Sequence, residues 1–160
     1  TKVEPNWLDI AYQVISEDPK VGIVGFKLLF PNGTVEHAGI FWTPEMPHHM
    51  NYGVGDNANR HTENRELDIV GWALVLLRKK ALPNPLDITT YFGFRGFDDI
   101  DNCLEVRKRG WKVIYCGYGC AYHTAGATKH SESDERKYAG EYEENRLRFL
   151  KKWGGIGYQK

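Results

Sequence analysis

The sequence lacks an excess of charge of either sign. Its 160 residues contain 21 lysines and arginines and 21 aspartates and glutamates, so the formal net charge at pH 7 is zero. Proteins that bind nucleic acid through its phosphates present concentrated basic surfaces. The balanced composition therefore argues against a nucleic-acid partner.

Cysteine is also scarce. The chain has three, Cys103, Cys116 and Cys120, and no CxxC pair. This pattern excludes a disulfide framework and a zinc ribbon, and it favours reduced thiols in the core of a cytoplasmic protein.

Long hydrophobic runs are absent, since no apolar stretch reaches the roughly 18 residues of a membrane span. The start of the chain shows no basic, apolar leader, and it has no initiator methionine, so we expect a fragment located in the cytoplasm or peripheral to the membrane. The chain also has no P-loop, no GxGxxG after a strand and no GxSxG. What remains is ordinary globular composition, with 41% hydrophobic residues and a length that fits one domain.

The hydrophobic pattern alternates between helices and strands, which predicts an α/β layer architecture. We expect helices over residues 6–16, capped by Asn6, 99–109 and 134–153. We expect strands over residues 21–30, 35–41, 67–77, 113–115 and 120–122. A turn at 31–34 follows from Pro-Asn-Gly-Thr, and residues 43–66, 82–97 and 125–133 read as irregular stretches.

Three carboxylates, Asp98, Asp99 and Asp101, crowd the start of the second predicted helix. N-capping and the helix dipole explain one or two of them. Carboxylates this close repel each other, which raises the pKa of at least one and favours a role as proton acceptor, although the dipole acts in the opposite direction. The cluster follows a glycine- and aromatic-rich approach containing Arg95 and Phe97, which suits close contact with a ligand.

His123 ends the last predicted strand region and is followed by small residues that leave room for a ligand. A hydrogen-bonded structural histidine is the ordinary interpretation, and a ligand for an Mn²⁺-type ion beside carboxylates is the functional one. The spacing of His37, His48, His49 and His61 fits no zinc template.

Gly71 and Trp72 lie inside the strand predicted over residues 67–77. Glycine within a strand marks either a bulge or the close approach of a ligand, and simple packing is the alternative.

Six segments in this order resemble the second half of a family 2, inverting, nucleotide-sugar glycosyltransferase of the GT-A fold. Its rhamnosyltransferase-like and galactofuranosyltransferase-like members are the most similar. The matching segments are residues 5–8, 18–25, 30–39, 70–79, 97–101 and 107–123. The chain departs from the usual pattern at Asp98, where the family has Glu, and at Glu105, where it has Arg.

The resemblance implies a fold, roles and partners. The fold would be a partial GT-A-like mixed sheet flanked by helices, without the N-terminal nucleotide-binding half and its Asp-x-Asp. Residues 1–130 would form the acceptor and catalytic half, and residues 131–160 a helical extension. Asp99 would be the general base, supported by Asp98 and Asp101, while His123 would hold Mn²⁺ or Mg²⁺ on the donor diphosphate.

Gly71, Trp72, Phe97 and Arg95 would then contact the substrates, a nucleotide-diphospho-sugar donor and a carbohydrate acceptor. We expect the chain alone to be inactive or nearly so, and the truncated sheet to favour self-association. Two alternatives stay open, namely a non-catalytic carbohydrate-binding or scaffold domain of the same fold and a metal-dependent hydrolase.

Overall fold

The structure is a computed structural model that describes residues 1–43, 47–55, 62–83, 90–91, 97–124 and 132–154. Its helices are α1 (Trp7–Glu17), α2 (Asp98–Lys108) and α3 (Glu132–Trp153). Its strands are β1 (Lys2–Val3), β2 (Val21–Leu29), β3 (Val35–His37), β4 (Ile40–Trp42), β5 (Pro47–His49), β6 (Arg65–Leu67), β7 (Val75–Leu77) and β8 (Lys112–Tyr122).

A mixed sheet flanked by these three helices forms the body of the molecule, which confirms the α/β prediction. The two long strands β2 and β8 pair in parallel at its centre. Strand β2 pairs antiparallel with β3 and β7 on its other side, and β8 pairs antiparallel with β1 and β6. Strands β4 and β5 form a separate hairpin. Every residue of β2 is buried, as its apolar run predicts.

The two faces of the sheet carry separate cores. Ile23 packs in one core and its neighbour Val24 in the other, because successive side chains of a strand point to opposite faces. Residues of α2 and α3, such as Val106 and Phe149, cover the first face. Ala11 of α1 covers the second. The 131–160 extension therefore contributes side chains to the same core as the sheet.

Two local predictions about helices have different outcomes. Helix α2 ends at Lys108, one residue before the predicted end, and Gly110 follows with a φ of 84° that suits glycine. The prediction that Asn6 caps α1 is wrong, because Asn6 adopts a left-handed φ of 62° and its side chain makes no capping hydrogen bond.

The prediction of one continuous strand over residues 67–77 is wrong. Its ends are β6 and β7, which pair with different strands, β8 and β2, so the chain between them must cross from one partner to the other. Gly71 and Trp72 lie in this connection and not inside a strand.

The strand predicted over 35–41 is also divided. Gly39, with a φ of 107°, separates β3 from β4, and a Cβ there would lie 2.3 Å from Cδ1 of Leu67. The irregular stretch predicted over 43–66 contains β5 and the start of β6. Most of the stretches predicted over 82–97 and 125–133 lies outside the described residues.

The two short strands predicted over 113–115 and 120–122 form one strand, β8, with an irregularity. Phe26 pairs with Cys116, whereas the next residue, Lys27, pairs with Cys120. Residues 117–119 therefore bulge from the ladder, with Tyr118 exposed. Cys103, Cys116 and Cys120 are free and buried, as predicted.

Candidate functional site

Helix α2 runs back along β8, because only residues 109–111 separate the two elements. The start of the helix therefore points towards the carboxyl end of that strand. Asp98 and Asp99 begin the helix, and His123 follows the last residue of the strand. In open α/β sheets this end is where ligands bind.

Asp99 is the best-placed proton acceptor in the described part of the chain. Its carboxylate is half-buried, and it accepts hydrogen bonds from the backbone N–H of Ile100, at 2.8 Å, and from that of Trp72. Burial, followed by the negative charge of Asp98, raises the pKa of Asp99 to about 6. A carboxyl with this pKa can both take and release a proton near neutral pH.

Residues 68–72, here called segment 68–72, run along α2 and contact it at three levels. Nε of Arg107 lies 2.9 Å from Oδ1 of Asp68.

One helical turn earlier, Sγ of Cys103 lies 3.6 Å from the carbonyl oxygen of Val70. One further turn earlier, the backbone N–H of Trp72 reaches Asp99. The structure thus brings together two residues predicted at the site, Asp99 and Trp72.

The opposite side of segment 68–72 is held by His37. The backbone N–H of Gly71 donates to Nε2 of His37 at 3.1 Å, in the buried interior. Nδ1 of His37 lies 3.2 Å from Nδ1 of His49 on β5. A Cβ on Gly71 would lie 3.5 Å from this ring, so the turn sits directly against the imidazole.

The indole of Trp72 carries a donor without an acceptor. Its Nε1 is buried, and no described atom accepts a hydrogen bond from it. The neighbouring thiol of Cys103 is a poor acceptor because burial raises its pKa to about 12 and keeps it neutral. Unpaired buried donors are rare and costly.

Asp101 lies apart from Asp99, on the side of α2 that faces α3. It is 1% exposed, and its Oδ2 accepts a hydrogen bond from Nζ of Lys152 at 2.8 Å. Its Oδ1 accepts from the Tyr91 hydroxyl at 3.2 Å and from the indole N–H of Trp153. The structure therefore makes Asp101 an anchor between two helices.

Phe97 is a core residue in this structure rather than an exposed substrate contact. It is 1% exposed, and its ring centroid lies 5.3 Å from those of Tyr142 and Phe149 on α3. Arg95, predicted to bind substrate, lies outside the described residues.

His123 is oriented by a carboxylate that the sequence analysis did not single out. Nδ1 of His123 lies 2.8 Å from Oε2 of Glu36, whose side chain is 8% exposed, while the His123 side chain is 28% exposed. Since a carboxylate only accepts, Nδ1 carries the hydrogen, which leaves Nε2 as the ring nitrogen that could bind a ligand.

The fit of a metal ion is partial. Metal-binding histidines usually donate their other N–H to a carboxylate, as His123 does to Glu36. Within the described residues, however, no group of three or more His, Cys, Asp or Glu side chains could enclose an ion. The described residues therefore do not form a metal site by themselves, and the role of His123 as a metal ligand stays a prediction.

A pocket of about 360 Å³ opens at the far end of α2, beside Arg107. Its lining combines apolar and charged side chains: Ile40, Phe41, Met50, Glu66, Leu67, Asp68 and Arg107. Such a mixed lining suits a polar ligand with apolar faces, and a sugar is one example.

None of the described helices is long and apolar enough to cross a membrane.

The chain is similar in sequence to two much longer bacterial proteins. It is 31% identical over 146 residues to O-antigen biosynthesis protein RfbC of Myxococcus xanthus, a match that covers 82% of this chain and 11% of that protein. It is 26% identical over 147 residues to the uncharacterized protein y4gI of Sinorhizobium fredii (strain NBRC 101917 / NGR234), a match that covers 84% of this chain and 15% of that protein. The chain thus spans less than a sixth of either relative. No family model and no solved structure matches it.

Proposed function

We propose that this chain is the acceptor-side, catalytic half of an inverting glycosyltransferase that builds a cell-surface polysaccharide. The observation that carries the proposal is Asp99, a half-buried carboxyl with a pKa of about 6, held at the sheet end by the backbone of Trp72. The name of the Myxococcus relative, which refers to O-antigen biosynthesis, supports a role in polysaccharide biosynthesis. The mixed α/β sheet is compatible with a partial nucleotide-sugar transferase fold.

Asp99 acts as the general base in this proposal. Its carboxylate accepts the proton of the acceptor hydroxyl as the hydroxyl oxygen attacks the anomeric carbon of the donor sugar. The bond from that carbon to the diphosphate breaks on the opposite face, so the anomeric configuration inverts. Trp72, whose backbone N–H holds the Asp99 carboxylate, stays a predicted substrate contact.

The other predicted site residues have supporting roles. Asp98 raises the pKa of Asp99 by its charge, and Asp101 positions α2 against α3. His123, oriented by Glu36, provides one ligand for Mn²⁺ or Mg²⁺. When bound, the ion neutralises charge on the departing nucleoside diphosphate. Arg95 stays a predicted substrate contact.

The test is Asp99→Asn in the complete polypeptide in which the chain occurs. Asn keeps the shape and the acceptor oxygen but cannot take a proton. We expect transfer from nucleotide-sugar donors to a polysaccharide acceptor, followed by mass spectrometry, to fall by about 10²–10⁴-fold. Binding of the acceptor should persist. The matched control is Asp9→Asn on α1, which should leave transfer unchanged.

Two outcomes would favour the alternatives. If Asp99→Asn keeps both transfer and acceptor binding, Asp99 is not the base and a carbohydrate-binding domain is the better interpretation. If the donor is consumed equally fast without any acceptor, the protein is a hydrolase.

A further inference from the structure

His37 is fully buried, and both of its ring nitrogens have partners. Nε2 accepts from the backbone N–H of Gly71 at 3.1 Å, and Nδ1 faces Nδ1 of His49 at 3.2 Å. A backbone N–H can only donate, so Nε2 must carry the lone pair and Nδ1 the hydrogen. His37 therefore donates to His49, and one tautomer satisfies both contacts.

The surroundings keep this ring neutral. Burial, followed by the nearby His49, lowers the pKa of His37 to about 3. Burial also lowers the pKa of His49. The hydrogen bond from Gly71 to His37 thus keeps its direction at any pH well above 3.

Segment 68–72 connects His37 to Asp99. Gly71 bonds to His37 on one side, and the next residue, Trp72, bonds through its backbone N–H to the Asp99 carboxylate on the other. A displacement of the turn would therefore change both hydrogen bonds. The residue before His37 in β3, Glu36, holds His123. Successive side chains of a strand point to opposite faces of the sheet, so one strand supports His123 on one face and the Gly71–Trp72 turn beside Asp99 on the other.

We propose that His37 is a positioning residue for Asp99: its neutral ring fixes the Gly71–Trp72 turn, and the turn fixes the Asp99 carboxylate. The effect on turnover rests on the proposed function, whereas the effect on Asp99 itself does not. His37 touches no substrate in this proposal.

The test compares His37→Phe, which keeps a ring but removes the acceptor, with His37→Gln, whose side-chain oxygen can replace Nε2. The pKa of Asp99 is measured in the 160-residue chain by carbon-13 NMR of its carboxyl. We expect His37→Phe to raise this pKa by about half a unit or more, because a hydrogen bond to the charged form is weakened. Amide exchange at Gly71 and Trp72 should accelerate. His37→Gln should restore most of both signals.

Val35→Ala is the control, since Val35 is fully buried in the same strand. It should lower stability without changing the pKa of Asp99. His49→Leu is a second variant, which removes the partner of Nδ1 of His37, and it should move the same signals by a smaller amount. If His37→Phe does not fold, the pKa of Asp99 in His49→Leu tests the proposal instead. The proposal would be overturned if the pKa of Asp99 stayed unchanged in every folded variant at positions 37 and 49. It would also be overturned if Val35→Ala changed this pKa by the same amount.

Turnover in the complete polypeptide gives the second readout. His37→Phe should lower kcat by about tenfold or more, since small misplacements of a catalytic group are costly, while KM for the donor stays nearly constant. Rescue of kcat by His37→Gln is expected. If Asp99→Asn leaves transfer intact while the NMR shifts are present, the proposed function fails and the positioning role of His37 stands.

Discussion

The Asp99 carboxylate is half-buried directly after the exposed Asp98, and burial together with the charge of Asp98 raises the pKa of Asp99 to about 6. The pair places one carboxyl in solvent and one against the protein interior. The exposed member changes the proton affinity of the buried one.

Asp98→Asn should move the pH dependence of transfer. A general base works when deprotonated, so the rate of the unmodified protein should rise with pH through about 6. Removing the charge of Asp98 makes deprotonation of Asp99 easier, and we expect the acid limb of kcat/KM to shift down by about half a unit. The measurement is a pH–rate profile, with Asp9→Asn as control. A limb that stays in place would show that another group controls it.

Asp99→Asn should stabilise the fold near neutral pH while it abolishes transfer. The pKa of Asp99 is raised from 3.8 to about 6 on folding, so its contribution is favourable below pH 3.8 and is lost as pH rises through 6. At pH 7.5 the free energy of unfolding of the variant should be higher by about 1–3 kcal/mol. At pH 4 it should change little. Urea denaturation at both pH values measures this. A less stable variant at pH 7.5 would contradict the inferred cost of the charge.

The contact between Asp101 and Lys152 should contribute to the attachment of α3. Asp101 is buried and Lys152 is partly exposed, with 2.8 Å between Nζ and Oδ2. Lys152→Met should cost about 1–3 kcal/mol, because it leaves a buried carboxylate with one charged partner fewer. The exposed Lys151→Met is the matched control. Denaturation followed by tryptophan fluorescence compares them, and equal stabilities would show that the Tyr91 hydroxyl and the Trp153 indole satisfy Asp101 without Lys152.

Glu36→Gln should weaken metal binding without removing the proposed ligand. Glu36 accepts from Nδ1 of His123 and so fixes the ring with Nε2 free. Loss of such a supporting carboxylate typically lowers metal affinity about 10–100-fold. Mn²⁺ binding to the complete polypeptide, measured by electron paramagnetic resonance with the donor present, tests this, with Glu4→Gln as control. Unchanged affinity would argue that His123 binds no ion.

Local sequence patterns predicted the elements whose formation depends on near neighbours. The unbroken apolar run of β2 specifies a strand buried on both faces, and the period of α2 together with Gly110 specifies a helix and its end. The free cysteines also followed from their number and spacing. In each case the signal lies within a single segment of the sequence.

Predictions failed where distant segments decide the conformation. Residues 67–77 are apolar enough for one strand, but β6 and β7 have different partners in the sheet. Nothing in the local pattern reveals that β8 carries three extra residues opposite Phe26 and Lys27. Both features are properties of strand pairing, which is not encoded in a single segment.

The candidate site was predicted in part. The crowded carboxylates and the glycine before Trp72 drew attention to groups that do lie together. The supporting residues His37 and Glu36 were missed, although Val35, Glu36 and His37 follow a strong turn and two adjacent polar residues in a buried strand need partners. That requirement is the signal that could have found them.

The three contacts between segment 68–72 and α2 follow from the lengths of an extended chain and of a helix. Asp68, Val70 and Trp72 are spaced by two residues, whereas their partners Arg107, Cys103 and Asp99 are spaced by four. An extended chain advances roughly 6.6 Å in two residues, and a helix advances roughly 6 Å in four. The spacing of contacts along the segment therefore nearly equals their spacing along the helix. Deleting one residue from the segment would put every later contact out of step, so variation in this part of the chain should proceed by substitution and not by change of length.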